Sequence, residues 1–300
     1  MKFLYYPGCS QKATARGYEE SLLAICPELG IELEELPDWN CCGTTTTLSV
    51  NKVLALSLAA RNLALAEGQD LDLVTPCPSC FLSMAKVNEV LAAGDDLATK
   101  VHEALAAGGY SYKGTVKIRH LLEVLVSEVG IELIKERTSK PLAGLKVAPY
   151  YGCQVVRPYS LAGDEPDDPE SMEKIIEATG ATVAPFAQRT ACCGGTLVAT
   201  RPSVGQAMGA EILKGIAYAE ADLVVTPCNL CQVTMENYMR KSRKLLGDKL
   251  RLPIVTVTQL IGMAMGKEFK ALGINRAMAP KACLRQINER IAAGGQAAAV

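Results

Sequence analysis

The chain has 300 residues, of which 49% are apolar and 21% are charged, and its formal net charge is −1. These values predict a globular protein with room for two domains, and they argue against a disordered chain and against a nucleic-acid partner. No run reaches 18 uninterrupted apolar residues, so no transmembrane segment is expected.

Strands and helices alternate along the first half. Short apolar runs bounded by proline or glycine predict four strands, at residues 2–6, 31–36, 71–76 and 116–118. Apolar residues at helical spacing predict helices at residues 14–29, 50–67, 81–92 and 119–130, with a partly helical connection at 94–114. Such alternation predicts a parallel sheet flanked by helices.

The second half repeats this order. Its predicted strands are residues 145–151, 181–186, 222–227 and 253–257, and its predicted helices include 169–179, 202–219 and 258–266. The polar, turn-prone run at 136–143 separates the halves and predicts two domains, 1–140 and 141–300. We therefore expect an α/β protein of two tandem, similar halves related by a pseudo-twofold axis.

Ten of the twelve cysteines form a pattern that occurs twice. In each copy a single cysteine precedes an adjacent Cys-Cys-Gly, and 34 residues separate the Cys-Cys pair from a Cys-x-x-Cys element. The longer first gap of the second copy is assigned to a surface loop in the acidic run at 163–170. The first set is Cys9, Cys41, Cys42, Cys77 and Cys80, and the second is Cys153, Cys192, Cys193, Cys228 and Cys231.

Every cysteine of the two sets follows a predicted strand. In open parallel sheets, ligands bind outside the carboxyl ends of the strands. Three strand ends would therefore gather five thiols around one crevice in each half. Isolated buried thiols are common, but two sets with the same internal gap argue against that explanation.

The chemistry of thiols narrows what such a crevice binds. The N-terminal segment has no secretory signal, so we expect a cytoplasmic protein in which these cysteines are metal ligands or redox groups rather than disulfides. Thiolates favour iron–sulfur clusters, zinc or copper(I). Five ligands with an adjacent pair suggest something larger than an ordinary four-cysteine site, while zinc in one half remains an alternative. Gly43 and Gly194 permit close backbone approach, and backbone N–H groups there are expected to face the bound group.

The sequence resembles the CCG-domain proteins, and in particular the B-subunit family of heterodisulfide reductase. The YYPGCS start, the DWNCCG stretch and both Cys-x-x-Cys elements carry the resemblance, which covers nearly the whole chain. It implies a noncubane 4Fe-4S cluster on each of the two cysteine sets. It further implies that the two clusters face one another and that a small-molecule disulfide is cleaved between them.

The resemblance also implies partners. The chain has neither a ferredoxin-type cysteine run nor a GxGxxG nucleotide fingerprint. Electrons would come from a small ferredoxin-like subunit of the same complex, which is fed in turn by a flavin-containing subunit. Two alternatives remain open: a related complex that oxidises thiols in the reverse direction, and a non-catalytic electron-transfer or docking subunit of a quinone-linked dehydrogenase.

A few further residues carry expectations. Cys26 and Cys283 are expected to be structural, His120 to cap or pack, and Trp39 to shield the first cluster or join the core. The segment 258–275 is expected to pack normally rather than to lie on a membrane, because its first part matches 119–130 by repeat position. The alanine- and glycine-rich tail, 292–300, is expected to be disordered.

Overall fold

The computed structural model describes residues 1–44, 46–160, 163–246, 252–279 and 281–297, and the side chains of these ranges except 240–246 and 293–297. By their contacts the residues divide into two compact units. Unit 1 comprises Met1–Ala13 and Ile31–Leu121, and unit 2 comprises Thr14–Gly30 and Leu122–Val300. The predicted domains, 1–140 and 141–300, were defined by the sequence repeat and not by contacts. That domain division stays a prediction.

The described regular elements alternate as the sequence predicts. The strands are β1 (Lys2–Tyr5), β2 (Glu32–Glu35), β3 (Leu73–Thr75), β4 (Ile118–His120), β5 (Lys146–Pro149), β6 (Thr182–Val183), β7 (Leu223–Thr226) and β8 (Ile254–Thr256). The α-helices are α1 (Gly8–Gln11), α2 (Arg16–Ile25), α3 (Thr46–Val50), α4 (Lys52–Ala66), α5 (Pro78–Ala93), α6 (Asp96–Ala107), α7 (Leu121–Val124), α8 (Ile131–Glu136), α9 (Ser171–Ala178), α10 (Pro202–Tyr218), α11 (Asn229–Leu246), α12 (Val257–Ala264) and α13 (Lys281–Ala297).

Each unit contains one parallel four-stranded sheet. The strand order is β2-β1-β3-β4 in unit 1 and β6-β5-β7-β8 in unit 2, and all pairings are parallel. The central strands are buried on both faces, as parallel strands flanked by helices must be. The predicted α/β class with tandem halves is confirmed.

The strand order places a switch point beside the first strand of each sheet. From β1 the chain passes to β2 on one side and then to β3 on the other, and β5, β6 and β7 repeat this path. The helices leaving neighbouring strands then diverge, which opens a crevice at the carboxyl ends. The cysteines lie at this edge in both units.

Helix α2 belongs to unit 2, although it follows β1 in sequence. It packs on α12, where the hydroxyl oxygens of Ser21 and Thr258 lie 2.5 Å apart. The Gln259 side chain also donates to the carbonyl of Gly17 at 3.4 Å. Buried polar side chains thus join α2 to α12, and the sequence order alone gave no sign of this pairing.

Several element boundaries differ from the sequence predictions. Helix α5 begins at Pro78 rather than residue 81, because a proline in the first turn is compatible with a helix start. The predicted helix 119–130 is divided into α7 and a π-helical segment, Leu125–Val129, which ends at Gly130. Helix α13 continues to Ala297, so the disorder predicted for the tail is wrong over 292–297, and residues 298–300 lie outside the described residues.

No α-helix within the described ranges is long and apolar enough to cross a membrane. All eight residues of α12 are buried. The predicted interior packing of the segment that begins at residue 258 is therefore confirmed for this helix. The acidic run at 163–170 contains neither an α-helix nor a strand and is mostly exposed, as expected of a surface loop.

Candidate metal centres

The first cysteine set, here called site 1, lies entirely in unit 1 at the carboxyl edge of its sheet. Cys9 lies in α1, directly after β1. Cys41 and Cys42 lie in the loop after β2. Cys77 caps the N-terminus of α5 after β3, and Cys80 lies in the first turn of that helix. The topology thus brings all five predicted ligands to one edge.

The side chains of site 1 approach one another in pairs. The Sγ atoms of Cys42 and Cys80 are 3.4 Å apart, and those of Cys41 and Cys9 are 3.9 Å apart. Cys42, Cys77 and Cys80 are buried, whereas Cys9 and Cys41 are exposed. The site therefore has a buried side on α5 and an open side formed by the first cysteine and one member of the pair.

The second set, site 2, repeats this arrangement within unit 2. Cys153 follows β5, Cys192 and Cys193 follow β6, and Cys228 and Cys231 lie at the junction of β7 and α11. The Sγ atoms of Cys193 and Cys231 are 3.6 Å apart. Cys153 and Cys192 are half-buried, so the open side of site 2 is less exposed than that of site 1.

A glycine before the first cysteine makes room for the thiols in each site. Gly8 and Gly152 have φ values of +73° and +71°. A Cβ atom would lie 3.0 Å from the Cys80 Sγ at Gly8 and 2.9 Å from the Cys231 Sγ at Gly152. The glycines of the Cys-Cys-Gly turns also have positive φ and face a helix backbone, as expected. The Gly-Cys dipeptide occurs at the same place in both halves and could have identified Gly8 and Gly152 from the sequence, but it was missed.

A buried tyrosine supports each cysteine pair. The Tyr6 hydroxyl donates to the carbonyl of Asn40 at 2.7 Å, and the Tyr150 hydroxyl donates to the carbonyl of Ala191 at 2.8 Å. Burial, with the nearby thiols, raises the pKa of both phenols, so both keep their protons. Each tyrosine stands three residues before the first cysteine of its set, a repeat that the sequence also displayed.

The carbonyl before each Cys-x-x-Cys element is held by a buried side chain. In unit 1 His120 hydrogen bonds to the backbone of Pro76, and burial lowers the pKa of its imidazole to about 3. In unit 2 Tyr18 of α2 donates to the carbonyl of Pro227 at 3.3 Å. His120 therefore packs and positions, as expected, while the role of Tyr18 was not foreseen.

Backbone N–H groups point at the thiols of site 2. Gly194 donates to the Cys192 Sγ at 3.4 Å and Gly195 to the Cys193 Sγ at 3.3 Å. Hydrogen bonds from Cys153 and Gly194 lower the pKa of Cys192 to about 6. In site 1 the neighbouring thiols and the Gly43 N–H likewise lower the pKa of Cys41. Donors that stabilise a thiolate prepare it as a metal ligand, because the thiolate is the binding form.

The remaining residues singled out from the sequence have structural positions. Trp39 donates to Glu35 at 3.0 Å and packs edge-on against the Tyr6 ring, with the ring centroids 5.6 Å apart. Cys26 is buried in unit 2, and burial raises its pKa to about 12. Cys283 is half-buried on α13. Neither extra cysteine lies among the ligand sets.

Among the described side chains, no group of three or more His, Cys, Asp or Glu is placed to hold a single metal ion. The residues fit an iron–sulfur group in two respects. The donors are soft thiols throughout. Beside each site, finally, lies a buried polar group without a hydrogen-bond partner among the described residues: the amide of Gln11 and the hydroxyl of Tyr238. Such groups call for a partner that the polypeptide itself does not supply.

The fold and the two sites define a class: a protein of two cysteine-rich α/β domains, each with a five-thiol centre. The cysteine-rich domain family CCG matches residues 3–85 and 147–236. The chain belongs to the family of two-domain CCG proteins that includes the heterodisulfide reductase B subunits.

Relatives with established names fall into two groups. The 8-methylmenaquinol:fumarate reductase membrane anchor subunit of Wolinella succinogenes is 38% identical over 91% of this chain and 95% of its own length. A heterodisulfide reductase B-subunit-like protein of Archaeoglobus profundus is 33% identical over 89% of this chain and 91% of its own length. The B subunit of the ferredoxin/F420H2-dependent CoB-CoM heterodisulfide reductase of Methanosarcina acetivorans is 29% identical, with 92% and 93% covered. The names support an oxidoreductase subunit of a larger complex.

A solved structure shares the fold. A hypothetical protein from Helicobacter pylori matches with a TM-score of 0.68 at 18% identity. The match covers 91% of this chain and 50% of that one, so this chain spans half of its length.

Proposed function

We propose that this chain is the catalytic iron–sulfur subunit of a heterodisulfide reductase-like complex. The doubled arrangement of five thiols carries the proposal, because each set has the same tyrosine and glycine support at the carboxyl edge of its own sheet. One noncubane 4Fe-4S cluster is assigned to Cys9, Cys41, Cys42, Cys77 and Cys80, and another to Cys153, Cys192, Cys193, Cys228 and Cys231.

The proposed reaction is the cleavage of a small-molecule disulfide. The disulfide takes up two electrons and two protons and gives two thiols. When bound, the two clusters would supply one electron each and iron positions that accept sulfur. The polypeptide shields one side of each site by burying both cysteines of its Cys-x-x-Cys element. His120 stays neutral near neutral pH and is buried, so the protons come from outside this side chain.

The proposal includes partners and a location. A small ferredoxin-like subunit would deliver electrons from a flavin-containing subunit of the same complex, in the cytoplasm. The support is that the relatives are named as subunits and that this chain has no ferredoxin-type cysteine run of its own.

Metal analysis and turnover test the proposal. Anaerobically prepared protein should contain about eight irons per chain, because each 4Fe-4S cluster contributes four. Reduced viologen should drive the cleavage of a disulfide substrate by the cluster-loaded chain. Fewer than about four irons per chain would refute the two-cluster assignment.

A second candidate is an electron-transfer subunit of a quinol-linked fumarate reductase. The Wolinella relative favours it, because it is 38% identical over 95% of its own length. This candidate predicts clusters at both sites, no disulfide turnover with viologen, and co-purification with a fumarate-reducing flavoprotein. A third, the reverse oxidation of thiols, shares the site and differs in the electron acceptor that co-purifies.

A further inference from the structure

A buried tyrosine lies beside site 2 and has no counterpart at site 1. Tyr238 is seven residues after Cys231 on α11, so the two side chains share one face of the helix. It belongs to the same packed cluster as Cys193, Cys228 and Cys231 and is 3% exposed. Its hydroxyl is buried and has no hydrogen-bond partner among the described residues. Burying a hydroxyl in this way costs free energy unless another group accepts a hydrogen bond from it.

The fold makes a specific place for this ring. Gly205 and Gly209, one turn apart on α10, form a notch, since a Cβ at Gly209 would overlap the ring of Tyr238. A Cβ at Gly205 would lie 2.6 Å from the Tyr238 hydroxyl oxygen and 2.9 Å from the carbonyl oxygen of Gly194. The hydroxyl therefore lies against the Cys-Cys-Gly turn of site 2, next to the ligand Cys193.

The first half shows the exchange of volume that this arrangement needs. Val87 occupies the position that corresponds to Tyr238, at the same offset that relates Cys80 to Cys231. Gly43 faces Ala55 as Gly194 faces Gly205, and Ala59 follows one turn after Ala55. By this contact the two alanines match Gly205 and Gly209, at an offset of 150 residues rather than the 151 that relates the cysteines and Val87 to Tyr238. Val and two alanines thus stand where the second half has Tyr and two glycines, and Val87 provides no hydroxyl.

We propose that the Tyr238 hydroxyl donates a hydrogen bond to the iron–sulfur cluster of site 2 and raises its reduction potential above that of site 1. A donor stabilises the reduced, more negative form of a cluster, so it raises the potential. A phenol keeps its proton at neutral pH, so the hydroxyl is available as a donor. The inference rests on the proposed function in requiring a cluster at site 2.

The test is the variant Tyr238→Phe, which removes the oxygen and keeps the ring. Full-length protein is prepared anaerobically, and the midpoint potential of each site is measured by EPR-monitored titration. A Cys80→Ser background leaves site 2 as the site that loads, which assigns the signals. The iron content should stay unchanged. The equilibrium constant for reduction of site 2 should fall about tenfold, which lowers its midpoint potential by about 59 mV for one electron.

Tyr112→Phe is the matched control. It also removes a buried hydroxyl, but one that already donates to Asn88 at 2.6 Å in unit 1. Both midpoint potentials should stay unchanged in this variant. A Tyr238→Phe protein with full iron and an unchanged site 2 potential would overturn the inference, because the hydroxyl would then only pack or bond to Gly194.

A transplant covers the case in which Tyr238→Phe loads iron poorly. The triple variant Ala55→Gly, Ala59→Gly, Val87→Tyr recreates the tyrosine and its notch in site 1. Its site 1 potential should rise, and a loaded site 1 with an unchanged potential would count against the inference. If the unsubstituted protein binds no iron at either site, the proposed function itself fails. This outcome differs from an unchanged potential in either variant, which would contradict the inference alone.

Discussion

Glycine at the residue before the first cysteine sets how closely the backbone approaches the thiols. At Gly152 two costs coincide: a φ of +71° and a Cβ position 2.9 Å from the Cys231 Sγ. Gly152→Ala should therefore displace a ligand and empty site 2, which lowers the iron content by about half on the two-cluster assignment.

Gly144→Ala separates the two costs. Gly144 has a φ of +80° and nothing within 4 Å of the Cβ position. Both variants bear the backbone cost of about 1–2 kcal/mol for a left-handed residue, but the Gly144 variant should keep its iron. Equal iron loss in both proteins would show that strain, and not contact with the thiol, is responsible.

Glu236 predicts a pH dependence of stability that is independent of iron. Burial raises the pKa of its carboxyl to about 7, and its one hydrogen bond among the described residues is from the Met278 N–H at 3.2 Å. The folded state therefore holds this proton more tightly than the unfolded state does. Glu236 therefore contributes most to the free energy of unfolding below pH 4.5, and this contribution is lost as the pH rises through 7.

Glu236→Gln should remove that loss. The variant should match the original protein at pH 4.5 and exceed its free energy of unfolding at pH 8 by up to ~3 kcal/mol. Urea denaturation at the two pH values measures the difference. A stability difference that does not change with pH would mean that Glu236 titrates normally.

Among the secondary-structure elements, α2 has the least expected position. It follows β1 in the chain but packs in unit 2, where Gly17 makes the close approach: a Cβ there would lie 2.6 Å from the carbonyl oxygen of Gly273. Gly17→Ala gains helix propensity of about 1 kcal/mol. The backbone oxygen cannot move freely, so overpacking should outweigh this gain and lower the free energy of unfolding by about 1–3 kcal/mol.

Urea denaturation of the full-length protein checks this effect, with Leu23→Ala as the control on the same helix. Leu23 is 50% exposed, so its truncation should change stability by about 0.5 kcal/mol or less. If Gly17→Ala stabilises the protein, helix propensity outweighs the close contact, and the backbone at Gly273 can move to accept a methyl group.

The same elements show what the sequence could and could not predict. Short apolar runs bounded by proline or glycine located the eight strands, and apolar residues at helical spacing located helices such as α4 and α10. Neither pattern placed Cys80 in a helical turn, since Pro78 favours both a loop and a helix start. The packing partner of α2 was beyond reach, because Ser21 and Thr258 are 237 positions apart and a single sequence shows no pairing.

The residues of the two sites also include some that the sequence identified and some that it did not. The repeat identified all ten candidate ligands, whose role as ligands stays a prediction. Support groups such as Gly8, Tyr6 and Tyr18 were missed, because a residue that shapes a site resembles any other core residue in sequence. Tyr238 was missed for the opposite reason: it breaks the repeat, and only the notch at Gly205 and Gly209 shows why.

For the molecule as a whole, duplication makes the two sites separable. Each unit contains its own sheet, its own packed core around the thiols and all five cysteines of one set. Loss of one ligand should thus leave the other site loaded. Cys80→Ser should remove the iron of site 1, and Cys231→Ser that of site 2, each about half of the total.

Iron analysis combined with EPR of the two variants measures this independence. If the sites are separable, the spectra of the two variants should sum to that of the original protein, and the double variant should contain no cluster. A single substitution that empties both sites would show that cluster binding at one site is required for the other. Because cleavage of one disulfide needs two electrons, each single variant should also lose disulfide turnover while it keeps one reducible cluster. That result would distinguish a two-site catalyst from an electron-transfer subunit with one working centre.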